Sequence, residues 1–240
     1  MRLSVFYGPE GVPAAGSPDC AVAIDVLRAT TTIAAALGSG AEAVQVFSGV
    51  EELKTACEAW PEGKRITLGE RGGDKIPGFA LGNSPLELPP EILREKRVFM
   101  TTTNGTRSLE RMRGTPCLLA ASLVNLASLL SFLKEKAFES VWVVCSGWEG
   151  AYSLEDAFCA GAIAAGIEGA LANDEAIAAA ALYQQWKKEP LRLLLSSSHG
   201  QRLLKRGLLK DLAFCAQLNS LDVLPIQSEP GLFIREETRK

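Results

Sequence analysis

A chain of 240 residues, 47% of them hydrophobic and 22% charged, can bury a sizeable core as one domain, with a division into two α/β halves of about residues 1–115 and 116–240 as the variant. With 25 Lys and Arg against 28 Asp and Glu, the net charge is −3; no block of like charge stands out, which excludes a nucleic acid or an acidic membrane surface as the expected partner. Six cysteines without a CxxC pair and a single histidine, His199, argue against zinc and iron–sulfur centres and against most zinc-hydrolase and His-phosphatase schemes.

Arg2 to Tyr7 alternates as a first strand and stops at Gly8-Pro9. The apolar start, Met1 to Gly8, is too short for a signal peptide. Cys20 to Val26 is a continuous apolar run of the kind a fully buried strand needs, and Ala29 to Leu37 opens a helix that ends at a glycine stop. Ala43 to Phe47 predicts a strand, Val50 to Glu58 a helix, and Ile66 to Leu68 a short strand running into the turn Gly69-Glu70-Arg71-Gly72-Gly73. A long Gly- and Pro-rich loop containing Asn83 and Ser84 follows, a length that favours a functional role. Then come a strand at Arg97 to Met100, a hydroxyl-rich turn, a helix at Arg107 to Met112, a strand at Cys117 to Ala120, and a helix capped by Ser122 and running to about Ala137. Val141 to Cys145 is a further central strand. Ser153-Leu-Glu155-Asp156 then fits a capping box, which gives Asp156 a capping role and leaves Glu155 freer.

The helix from Ala157 is rich in Ala and Gly, so its backbone is expected to pack closely on a neighbour, in the core or at an interface. The tract to Ala172 is broken by Gly and Glu well short of a membrane span. Asn173 caps a helix to Lys188 and Ser198 a short one ending before Gly207, with a further helix over Asp211 to Leu218. Val223 to Ile226 and Leu232 to Arg235 predict edge strands, where Pro225 is tolerated. The order of elements predicts an α/β protein on a largely parallel sheet, reduced and cytoplasmic.

Three strand–turn–helix junctions carry the polar chemistry. The first holds Asp25, Arg28, Thr30, Thr31 and Thr32; the second Thr102, Asn104, Gly105 and Thr106; the third Glu149 and Glu155. In an open parallel sheet such junctions share one rim, where helix N-termini favour anions. Arginine adds a clamp for phosphate or carboxylate. Carboxylates and hydroxyls without His or Cys clusters suit a hard cation such as Mg²⁺. Together they point to metal-assisted phosphoryl transfer or hydrolysis; no Walker A loop is present. Ser198-His199 lacks a nucleophile elbow and fits local capping, and Trp148 either walls a pocket or packs.

Asp25-Val-Leu-Arg-Ala-Thr-Thr-Thr, Gly69-Glu-Arg-Gly-Gly, Gly82-Asn-Ser-Pro, Thr102-Thr-Asn-Gly-Thr and Glu155-Asp-x-x-Cys-Ala-Gly, in that order, resemble the motifs of the 2-phosphosulfolactate phosphatase family. Ser198-x-Gly200, Asp211-x-x-x-Cys215 and Val223-Leu-Pro resemble its C-terminal part. The resemblance implies a three-layer α/β/α fold around a mixed sheet. It also implies Mg²⁺-dependent release of phosphate from 2-phospho-3-sulfolactate, a step towards coenzyme M in methanogens. Roles for individual residues rest on their chemistry. Asp25, Glu70 and Glu155 are expected to hold Mg²⁺, with Asp25 and Arg28 as the catalytic pair. Arg28, Thr30, Thr31, Thr32, Arg71, Asn83, Ser84, Thr102, Asn104, Gly105 and Thr106 are expected at a small anionic phosphate ester. Position 27 is Leu, so the Asp-x-Asp pair of haloacid-dehalogenase phosphatases is absent. A metal-activated water is the preferred nucleophile and Asp25 itself the second choice. Other hydroxy-acid phosphates and a non-catalytic phospho-ligand binder are the rival readings, and a homo-oligomer, a dimer in the first instance, is the expected assembly.

Overall fold

The computed structural model describes residues 1–103 and 105–236. Asn104 lies outside the described residues. The strands are β1 (Arg2–Phe6), β2 (Cys20–Ile24), β3 (Ala43–Val46), β4 (Arg65–Arg71), β5 (Asp74–Lys75), β6 (Arg97–Thr101), β7 (Cys117–Ala121), β8 (Ser140–Cys145), β9 (Ala170–Leu171), β10 (Pro225–Glu229) and β11 (Leu232–Arg235). The helices are α1 (Ala29–Gly38), α2 (Val50–Glu58), α3 (Pro90–Leu93), α4 (Gly105–Arg111), α5 (Leu126–Lys136), α6 (Leu154–Gly166), α7 (Asp174–Trp186), α8 (Pro190–Ser196), α9 (Ser198–Lys205) and α10 (Leu209–Cys215).

All strands join one mixed sheet in the order β5-β4-β6-β3-β11-β10-β7-β2-β8-β1-β9. Because side chains alternate across a strand, β2 sends Cys20, Val22 and Ile24 to one face and Ala21 and Ala23 to the other, all fully buried. The first face packs against α5, α6 and α7 and the C-terminal helices; the second packs against α1, α3 and α4. The result is a three-layer α/β/α arrangement. Residues on both sides of position 115 interleave in the sheet, since β2 lies between β7 and β8.

The C-terminal hairpin departs from expectation. β10 and β11 are not edge strands; they sit mid-sheet between the parallel group β4–β6–β3 and the parallel group β7–β2–β8–β1–β9. Pro225 is accommodated because it opens β10, and that strand meets β7 only at Ile226 opposite Leu119. Three successive pairings here, β3–β11, β11–β10 and β10–β7, are antiparallel. The two parallel groups therefore run in opposite senses, and the predicted single rim of a parallel sheet does not exist.

Two local readings also change. Gly69-Glu70-Arg71 belongs to β4, and the turn to β5 is Gly72-Gly73, both at positive φ (61° and 89°). Ser197 rather than Ser198 caps α9, accepting from the Gly200 N–H at 3.0 Å. The small residues of α6 serve internal packing: a Cβ on Gly161 would fall 1.9 Å from the Ala179 carbonyl oxygen of α7.

Candidate active site

A polar cleft forms where three segments meet. The end of β2 gives Asp25, Leu27 and Arg28; the β4–β6 side gives Glu70, Gly72, Gly73, Asn83, Thr102 and Thr103; α9 gives His199, Arg202 and Leu203, and Glu149 closes the rim. The two junctions meet through α1 and α4 rather than along a sheet rim. A Cβ on Gly105 would stand 2.2 Å from the Ala29 Cβ and 2.7 Å from Asp25 Oδ2. Only glycine permits this approach.

Asp25 is the buried centre of the cleft. Its Oδ1 accepts from the Ala29 N–H at 3.1 Å, so the carboxylate caps α1 and takes up the positive end of that helix itself. Burial pushes its pKa up to about 6, and the charges of Glu155 and Glu70 add to the rise, while His199 and the Ala29 N–H oppose it.

The threonines of this junction do not line the cleft, contrary to the sequence expectation. Thr30 Oγ1 lies 2.7 Å from the Ala121 carbonyl oxygen and 2.8 Å from that of Asp25. Thr31 Oγ1 donates to the Val26 carbonyl and Thr32 Oγ1 to that of Asn83. The Thr30 and Thr32 N–H groups are also used, on Asp25 and Arg28 carbonyls. A hydroxyl beside an open carbonyl at a strand end is spent there before any ligand arrives.

Arg28 reaches the cleft as half of a buried ion pair, with Nη1 2.5 Å from Asp211 Oδ2. Ser84 donates to the other Asp211 oxygen at 2.9 Å, so Ser84 steadies the pair instead of lining the cleft. Arg71 is a second correction: its guanidinium donates to the Glu70 and Ser48 carbonyls and to Thr101 Oγ1, away from the cleft. Its expected place is taken by Arg202, which donates to the Gly72 carbonyl at 2.7 Å and lies over Trp148. Trp148 packs behind the site, against Arg202 and His199, and borders an adjoining hollow. Thr106 is a third correction, since its hydroxyl donates to the Thr102 carbonyl.

The expected metal triad is not assembled. Glu70 lines the cleft, but both oxygens accept backbone N–H groups, from Thr103 and Gly73, each at 2.7 Å. Glu155 sits behind His199, its Oε1 3.5 Å from Nδ1. Among the described residues no three His, Cys, Asp or Glu side chains stand together as a metal site. A different set of oxygens converges. Asn83 Oδ1 and Thr102 Oγ1 are buried without a hydrogen-bond partner among the described residues, and both residues line the cleft with Asp25. Buried orphan acceptors are costly unless something satisfies them. One carboxylate with neutral oxygens fits a hard, partly hydrated divalent cation such as Mg²⁺.

Asp156 does not complete its capping box. The Ser153 hydroxyl accepts from the Asp156 N–H, but the Asp156 carboxylate accepts from the Val26 N–H at 2.9 Å. Burial, then the charges of Asp25 and Glu155, push its pKa well above the usual carboxylate range. Sequence reasoning gave His199 a local role and passed over Arg202; their signal was i,i+3 spacing on one helix, which places both on one face.

An α/β/α protein whose sheet and helices deliver a desolvated aspartate, two arginines and neutral oxygens to one small cleft has the equipment of a phosphate-handling hydrolase. The family described as 2-phosphosulpholactate phosphatase matches residues 6–230, and the chain belongs to it. A relative from a Synechococcus species is 55% identical over 237 residues, covering 97% of this chain and 98% of the relative. One from Nostoc punctiforme is 52% identical over 240 residues, covering 97% and 98%. One from Thermosynechococcus vestitus is 52% identical over 243 residues, covering 98% and 100%. All three are named probable 2-phosphosulfolactate phosphatases. No helix among the described residues is long and apolar enough to cross a membrane.

Proposed function

We propose that this chain hydrolyses the phosphate ester of a small sulfonated hydroxy acid, 2-phospho-3-sulfolactate, to 3-sulfolactate and phosphate, with Mg²⁺ as cofactor. The reaction is the coenzyme M-type step that the family motifs imply, carried out in the cytoplasm. The observation that carries the reading is the convergence of Asp25, the orphan oxygens of Asn83 and Thr102, and the cations Arg28 and Arg202 on one cleft. The relatives' shared name supplies the substrate.

Asp25, Asn83 and Thr102 would hold the cation. Bound there, Mg²⁺ supplies positive charge against the phosphoryl oxygens. The phosphate, carboxylate and sulfonate of this substrate need cationic partners, and the Arg28 guanidinium, anchored through one nitrogen to Asp211, is preorganised for one of them. Arg202, tethered to the Gly72 carbonyl, meets another. With Asp25 engaged by the cation, water is the nucleophile.

The test is phosphate release from 2-phospho-3-sulfolactate, 2-phospholactate and phosphoglycolate, with Mg²⁺ and with EDTA. Metal-dependent release that prefers the sulfonated ester is the expected result. Metal-dependent release that prefers another ester would keep the chemistry and replace the substrate. Thermal stabilisation by these esters without turnover would make the chain a phospho-ligand binder.

A further inference from the structure

His199, the one histidine of the chain, stands in the wall between the Asp25 cleft and a second hollow bordered by Trp148, Tyr152, Glu155 and Ser197. Its position is built rather than incidental. Ser197 caps α9, and a Cβ on Gly200 would fall 1.7 Å from the Leu194 carbonyl oxygen, so α9 is seated tightly on α8. The imidazole stacks on Trp148, with ring centroids 5.6 Å apart and planes within 11°. Nδ1 faces Glu155 Oε1 at 3.5 Å. Glu155 is 1% exposed and its Oε2 has no hydrogen-bond partner among the described residues. A buried carboxylate facing one ring nitrogen fixes the orientation of the imidazole beside it.

Hydrolysis of an aliphatic phosphate ester expels an alkoxide, a strong base that leaves readily only when it is protonated as the bond breaks. Arg28 and Arg202 keep their protons, and Asp25 is committed to the cation. We infer that His199 is the general acid of the reaction, giving its proton to the leaving ester oxygen, and that Glu155 is the positioning residue that orients the imidazole. This rests on the phosphatase reading above. In the step, a water oxygen forms a bond to phosphorus, and the bond to the ester oxygen breaks with its electron pair staying on that oxygen. His199 supplies the proton that makes the alcohol. One water proton remains on the phosphate and the other returns to the imidazole, so one water is consumed and His199 is regenerated.

Leaving-group dependence tests this directly. Wild type, H199N, H199Q and E155Q are assayed with Mg²⁺ on 2-phospho-3-sulfolactate and on its 3,3-difluoro analogue, which keeps every charged group but expels a far weaker base. Both His199 variants should lose about 100-fold or more in kcat on the natural ester and less than about 10-fold on the analogue. E155Q should show the same pattern with a smaller loss. A merely structural role for His199 would lower both esters alike. Equal losses on the two esters, or wild-type turnover of the natural ester by folded H199N and H199Q, would overturn the assignment. No release of phosphate by wild type from either ester would instead overturn the phosphatase reading, and this inference with it.

Discussion

The junctions after β2 and β6 look alike in sequence, each a strand followed by several threonines and a helix, yet they do different work. After β2 the hydroxyls of Thr30, Thr31 and Thr32 are all spent on main-chain carbonyls, and what reaches the cleft is Asp25 and Arg28. After β6, the Thr102 hydroxyl has no hydrogen-bond partner among the described residues and Gly105 lets the turn close onto Asp25. The first junction is a scaffold that presents two charges. The second supplies neutral oxygens. A threonine-rich turn is therefore a ligand site only where the chain offers its hydroxyls no carbonyl within reach.

Breaking the scaffold side should cost most. Arg28→Ala strands the Asp211 carboxylate in a buried setting, and Asp211→Ala strands the guanidinium. Each should lower stability by about 3–5 kcal/mol in denaturant unfolding, whereas the double variant should recover part of that loss. Strictly additive losses would mean that the two side chains are not coupled.

Asp25 should have the next largest effect, with a sign that depends on pH. Its pKa rises on folding from the ordinary 3.8 to about 6. The native state thus holds this proton more tightly than the unfolded chain, and that contribution is complete below pH 4 and lost as pH rises through 6. Asp25→Asn should therefore stabilise the metal-free protein at pH 7, by up to about 3 kcal/mol, with the gain falling to about 1 kcal/mol at pH 4.5. Melting curves in EDTA at the two pH values check this, and a gain that does not depend on pH would refute it.

The smallest effect separates the two junctions most cleanly. Thr30→Val removes a hydroxyl held between two carbonyls and should cost about 1–2 kcal/mol of stability while the folded enzyme keeps the proposed Mg²⁺ dependence. Thr102→Val should cost little or no stability, because a buried hydroxyl without a partner among the described residues is removed, yet weaken the proposed Mg²⁺ activation about 10-fold. Reversed outcomes would exchange the roles assigned to the two turns.

Much of the architecture was legible because it is local. The apolar run of β2, the helices α1 and α2, and the Asn173 cap on α7 follow from pattern and capping chemistry at each site. What escaped depends on pairing across the chain. Nothing within Val223 to Arg235 says that this hairpin will wedge between two parallel groups, and a proline there argued for an edge. Residue chemistry singled out Asp25, Arg28, Asn83 and Thr102, which line one cleft. It misplaced Arg71 and Thr30–Thr32 because a side chain's polarity does not reveal which backbone carbonyl will claim it. His199 and Arg202 stand more than 170 residues from Asp25 in sequence, and only the seating of α9 brings them to the cleft.

The central claim is that Asp25 serves the cleft's cation and thereby the reaction. The most direct measurement is turnover of 2-phospho-3-sulfolactate by wild type and Asp25→Asn across a Mg²⁺ titration. A loss of about 10³-fold or more, with little remaining response to Mg²⁺, is predicted. Near-normal turnover with unchanged Mg²⁺ dependence would contradict the account.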